Sequence, residues 1–135
     1  MNLALLAALI MVLLLGLGAV AVRRFVLKNS DFWMAMGLIP SDRKSYEKAL
    51  YCFGKAVEIY PFYVYAWGNK GLSLYRLGRY DEALRCYEEA LLQNSRFGEG
   101  WHNKGLVLQK LGREDEAEEA FLIAENLGIK EARPL

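Results

Sequence analysis

The sequence predicts an all-α chain: an N-terminal transmembrane helix followed by an α-solenoid of about three helical hairpins. Two observations carry this prediction. Tryptophans at Trp33, Trp67 and Trp101 recur every 34 residues, and positions 3–22 form an unbroken run of twenty uncharged, mostly apolar residues. The first observation organises residues 30–130. The second sets residues 1–22 apart from the rest.

Twenty residues rising about 1.5 Å each span roughly the 30 Å hydrocarbon core of a bilayer. All 17 Lys and Arg and all 16 Asp and Glu residues lie at Arg23 or beyond. The mean hydropathy of +0.07 therefore averages a lipid-soluble piece with an ordinary water-soluble one. A cleavable signal peptide is the competing reading of this run, because Ala19-Val20-Ala21 resembles a cleavage site. Signal peptides carry positive charge before the apolar stretch, however, and here only Met1 and Asn2 precede it. A retained anchor at 1–22 is preferred. Arg23, Arg24 and Lys28 follow the run directly, so the positive-inside rule predicts a single-pass membrane protein with the following residues on the cytoplasmic side. Cleavage would instead give a secreted or cell-surface repeat domain. The juxtamembrane segment 23–29 has neither Gly nor Pro, so the repeats should stand close to the membrane.

The repeat is clearest from Tyr65 to Asn94. Shifted by 34, Trp67, Asn69, Lys70, Gly71, Leu72, Leu74, Leu77, Gly78, Arg79, Glu82, Ala83 and Ala90 fall on identical residues from Trp101 to Ala124, too many for compositional accident. Trp67, Gly71 and Leu74 are spaced by four and three and so share one helix face, as do Ala83, Tyr87 and Ala90. Between these two helices Gly78 can take the left-handed conformation that closes a helix, while Asp81 and Glu82 sit at the positive end of the next. The unit is an antiparallel hairpin. Small residues at Gly71, Ala83 and Ala90 allow close approach of the axes, and the rings of Trp67 and Tyr87 fill the remaining space.

At these residues the sequence resembles the tetratricopeptide repeat family, whose 34-residue unit carries a Trp, a Gly, an aromatic and two Ala in this order. The resemblance implies repeats at 30–63, 64–97 and 98–130, with 131–135 as a tail. The first copy is degenerate. It keeps Trp33, Gly37, Ala49, Phe53, Ala56 and Pro61, but has Pro40 in place of Leu74 and Leu108, and Lys44 in place of Gly78 and Gly112. Its first helix should end early, with Ser41 or Asp42 capping a longer second helix that reaches Ile59. The segment after Gly128 is too short for an added capping helix. The last helix, 114–126, should then expose an outer side on which Leu122, Ile123 and Leu127 are candidates for recruiting a neighbour, including a second copy.

Chemistry is sparse. His102 is the only histidine, and no nucleophile-and-base set, phosphate loop or metal spacing accompanies it. The expectation is no enzyme, no catalytic residue, no metal and no cofactor. The acidic cluster from Glu114 to Glu119 reads as a solvated helix start. Cys52 and Cys86 occupy equivalent places in successive repeats, too far apart for a disulfide, and read as free thiols. A net charge of +1 gives no hint of a nucleic-acid partner.

What remains is a surface. Opposite the core face of the first helix lie Tyr65, Asn69, Leu72 and Arg76, and 34 residues on, Glu99, Asn103, Leu106 and Lys110. A leucine repeated in the middle of an otherwise solvent-facing stripe marks a binding groove. By the resemblance, this stripe lines a concave groove holding a peptide or protein partner, and Asn69 and Asn103 resemble asparagines that bond a ligand's backbone. The basic clamp of the chaperone-binding relatives does not carry over, because Lys70 and Lys104 fall at the border with the core face. The predicted function is a membrane-anchored adaptor or scaffold. A self-associating structural membrane protein is the alternative.

Overall fold

The computed structural model describes residues 43–130 continuously, together with the isolated positions 16, 18–21, 24, 30 and 34, all of them helical. Within 43–130 five helices follow one another: α1 Arg43–Ile59, α2 Val64–Arg76, α3 Tyr80–Gln93, α4 Gly98–Lys110 and α5 Glu114–Asn126. Each packs against the next in sequence, and the two first helices of successive hairpins, α2 and α4, also touch. That is the stacking of successive hairpins into an all-α solenoid.

The hairpin turns close as their glycines require. Gly78 has φ +77° and Gly112 φ +74°. At each, the following arginine sends its N–H back to a helix carbonyl, Arg79 to Leu74 and Arg113 to Leu108, both at 2.9 Å, while the glycine N–H reaches Tyr75 or Gln109 at 3.0 Å. These paired bonds satisfy carbonyls that a helix end would otherwise leave open. Asp81 and Glu82 do lie in the first turn of α3, and Glu114, Asp115 and Glu116 in that of α5. The long helix expected in the first repeat is α1, ending at Ile59 as predicted. Ser41 and Asp42, its expected caps, lie outside the described residues, as do the turn at Pro40 and the tail 131–135.

The core is built on the predicted small residues. Ala56, Ala66, Ala83, Ala90, Ala117 and Ala124 are at most 1% exposed, which lets ring-bearing neighbours sit close to the helix backbones. A β-carbon on Gly71 would stand 2.9 Å from Cζ of Tyr87, and one on Gly105 would stand 2.5 Å from Cε1 of Phe121. Leu74 and Leu108 lie in the same cluster, each worth about 1.5–3 kcal/mol of burial. A second, smaller cluster of Ala56, Val57 and Ala66 takes in Met34, Tyr63 and Trp67. Trp67 packs against both clusters and so ties the first hairpin to the second.

Most of the predicted anchor lies outside the described residues. Its described part, 16 and 18–21, is helical and exposed. Among the described residues no helix is long and apolar enough to cross a membrane. Cys52 and Cys86 are buried free thiols.

Candidate functional site

The first helices α2 and α4 run side by side, so their equivalent positions form two neighbouring columns. Tyr65, Arg76, Glu99 and Lys110 are exposed, and Asn69, Leu72, Asn103 and Leu106 are half-buried. All eight predicted residues therefore keep accessible surface, with Tyr65 and Arg76 at the ends of one column, Glu99 and Lys110 at the ends of the other, and amide and leucine between.

The finer geometry departs from the reading of a fully solvent-facing stripe. Leu106 packs partly against the main core, because the adjoining helices close in on the middle of α4. Asn69 is also engaged within the chain: its Nδ2 lies 4.0 Å from Sδ of Met34, and its carbonyl accepts the Ser73 hydroxyl at 3.0 Å. Tyr65 leans away from the column and meets the edge of Phe97, ring centroids 5.4 Å apart. The face predicted to bind is thus narrower than the eight residues imply, with Leu72, Asn103, Arg76 and Lys110 its least engaged members.

Lys70 and Lys104 are half-buried. Each ammonium sits over the tryptophan three residues earlier, 5.0 Å from the Trp67 ring and 5.3 Å from the Trp101 ring. Lys104 also pairs with Glu88 at 3.7 Å. An open cleft of about 310 Å³ lies between α2 and α3, lined by Trp67, Lys70, Leu74, Glu82, Arg85, Cys86 and Glu89. Two cations and two carboxylates balance there, and the Cys86 thiol is pushed up to about 11 by burial, which keeps it a poor nucleophile. His102 is buried against Phe121, ring centroids 5.5 Å apart. Among the described residues no group of three or more His, Cys, Asp or Glu is placed to hold a metal ion.

Three features escape the sequence reading. Trp67 Nε1 donates to the Pro61 carbonyl at 2.7 Å and Trp101 Nε1 to the Ser95 carbonyl at 2.9 Å, the same bond one repeat apart. Arg79 grips Glu82 through two bonds of 2.7 Å, and Arg113 grips Glu116 at 2.6 and 2.8 Å. Each pair lowers the pKa of its glutamate and raises that of its arginine, chiefly through that hydrogen bond. An Arg with a Glu three residues later, twice at the same repeat position, is the signal for them. Finally, Leu127 and Ile129 fold over Gly98, where a β-carbon would stand 2.8 Å from Ile129 Cγ1 and 3.3 Å from Leu127 Cβ. Leu127 is thereby half-buried within its own chain, and of the three apolar residues proposed for the outer side only Leu122 is exposed.

Comparison with known proteins agrees with the repeat fold. Tetratricopeptide repeat models match residues 64–97 and 98–124. An uncharacterised protein of Methanocaldococcus jannaschii is 42% identical over 53 residues, which cover 39% of this chain and 62% of that protein. The crystal structure of MamA superposes with a TM-score of 0.66 at 20% identity, over 75% of this chain and 59% of that one. The TPR2B domain of yeast Sti1, in its complex with pHsp70, superposes with a TM-score of 0.69 at 14% identity, over 73% of this chain and 78% of that one. The chain thus spans less than two thirds of the M. jannaschii and MamA chains. At these identities the two solved structures show the fold, an all-α tetratricopeptide-type solenoid.

Proposed function

We propose that this chain, which carries tetratricopeptide repeats, is a membrane-tethered, non-catalytic adaptor that holds a peptide or protein partner in the groove formed by α2 and α4. The observation that carries the reading is the pairing of columns. Half-buried Leu72 and Leu106, the latter partly packed on the core, lie beside the exposed Arg76 and Lys110, so a narrow apolar strip ends in two cations across two repeats. The complex of the Sti1 domain with pHsp70 supports such a use of the fold. Tethering rests on the uncharged run 3–22 and on the exposed helical residues at 16 and 18–21. Arg23, Arg24 and Lys28 argue for the cytoplasmic side.

The test is capture from native membranes with the full chain as bait. The expected partner is lost by Arg76→Glu with Lys110→Glu, and by Leu72→Glu. Circular dichroism melts accompany each variant, because Leu72 is half-buried. Retention of the same partner by variants that melt normally would sink the groove assignment.

Self-association has one observation in its favour, the exposed Leu122 on α5. Sedimentation of the full chain in detergent decides it. An oligomer converted to monomer by Leu122→Glu supports this reading, and a monomer at high concentration removes it.

A further inference from the structure

The solenoid has two unlike edges. One edge carries the connectors between hairpins, 60–63 and 94–97, and the other carries the glycine turns within them at Gly78 and Gly112. On the first edge Tyr60 is 51% exposed and Phe62 71% exposed, their rings in edge contact at 6.3 Å. These two connectors hold no carboxylate and a single cation, Arg96. An exposed apolar ring such as that of Phe62 is costly to leave in water, and Tyr60, whose ring carries a polar hydroxyl, suits the zone between lipid headgroups and acyl chains.

By repeat register Ser30 falls at this same edge. Met34 Sδ touches Asn69 Nδ2, and under the 34-residue shift Met34 corresponds to Gly68 and Ser30 to Val64, the first residue of α2. Ser30 therefore registers with the edge that carries Tyr60 and Phe62. Only seven residues, 23–29, separate it from the apolar run, a reach of roughly 25 Å at most when fully extended. The opposite edge lies a helix length farther away, about 20 Å for thirteen residues.

We propose that the Tyr60–Phe62 edge docks on the headgroup layer of the bilayer that holds residues 3–22, so that α2 and α4 stand upright on the membrane. The inference rests on the tether assigned under Proposed function. With this docking the groove runs along the membrane normal, its Tyr65 and Glu99 end next to the lipid and its Arg76 and Lys110 end facing away. The occupant of the aromatic edge is lipid rather than a protein partner, which sets the two surfaces of the molecule apart.

The experiment uses the full chain reconstituted into phosphatidylcholine and phosphatidylglycerol vesicles, with a polarity-sensitive dye on Ser95→Cys or on Asp115→Cys. Both positions are exposed, one on each edge, and the native thiols are buried. Iodide should quench the dye at 95 several-fold less than the dye at 115, and Tyr60→Ser with Phe62→Ser should remove the difference. Equal quenching in protein that resists alkaline extraction from the vesicles overturns the docking and leaves the tether standing. Protein that alkaline extraction strips from the vesicles overturns both. Protection at 95 that survives the Tyr60 and Phe62 substitutions overturns the assignment to these two rings.

Discussion

Tyr87 lies flat against Gly71, so close that a β-carbon there would stand 2.9 Å from the phenol Cζ. The same relation holds between Phe121 and Gly105 at 2.5 Å, and it sets the distance between the helices of each hairpin. Alanine is favoured over glycine within a helix by about 0.8–1 kcal/mol. Here overpacking at roughly 1–3 kcal/mol outweighs that gain. Gly71→Ala and Gly105→Ala are both expected to lower the melting temperature of the full chain in detergent, Gly105→Ala by more.

The Tyr87 hydroxyl is a different matter. It is buried and has no hydrogen-bond partner among the described residues, while the equivalent positions one repeat either way are Phe53 and Phe121. An unsatisfied buried polar group costs about 1–3 kcal/mol. Tyr87→Phe should therefore leave stability unchanged or raise it, whereas Tyr87→Ala should cost roughly 3–5 kcal/mol through the cavity it opens. Denaturant titration of the two variants separates the hydroxyl from the ring.

Alkaline pH should loosen the second hairpin in a defined order. Burial raises the Cys86 thiol from 9.0 to about 11. The folded state then holds a proton that the unfolded state releases, so this contribution is complete below pH 9 and is lost as pH rises from 9 to 11, at up to about 1.4 kcal/mol per unit. Burial likewise raises Tyr87 above its ordinary value of 10.0, which extends the loss above pH 10. Cys86→Ala, the residue found at the equivalent Ala120, should flatten the decline that begins at pH 9. Melting temperatures at pH 8 to 11 check this.

Charge at one end of the groove should show in salt. Arg76 and Lys110 are exposed and equivalent by repeat, and Glu99 stands at the opposite end of its column. Exposed pairs contribute about 0.2–1 kcal/mol each and are screened by salt. A partner peptide bearing carboxylates is expected to bind more weakly as ionic strength rises, and Arg76→Ala and Lys110→Ala should each reduce that dependence. If neither variant changes the affinity or its salt slope, the two cations serve only the ends of their helices.

The hairpins are readable in the sequence because their spacing is set by side chains that recur: tryptophan, glycine, leucine and alanine at helical intervals. The tryptophan bonds are not, since their acceptors are backbone carbonyls at Pro61 and Ser95, two residues that share no side-chain chemistry. The Arg79–Glu82 and Arg113–Glu116 pairs are hidden for another reason. A glutamate in the first turn already has an explanation in the helix dipole, so its partner is not sought. Leu127 reads correctly as apolar, but the direction it faces depends on the turn at Gly128, φ +93°, which folds it and Ile129 back over Gly98. For the groove, spacing gives the face and neighbouring helices decide the depth, which is why Leu106 and Asn69 are less open than Arg76 and Lys110.

The Pro61 carbonyl receives a second bond, from Gln93 Nε2 at 2.7 Å, in addition to that from Trp67. One atom of the connector between α1 and α2 thus fastens the beginning of α2 and the end of α3. One repeat later Leu127 stands in place of Gln93 and its side chain can donate nothing, so among the described residues the Ser95 carbonyl keeps only its tryptophan. As a mechanical element the array is therefore stiffer at its first joint than at its second. A pull applied between residues 43 and 130 is expected to peel the last hairpin away first.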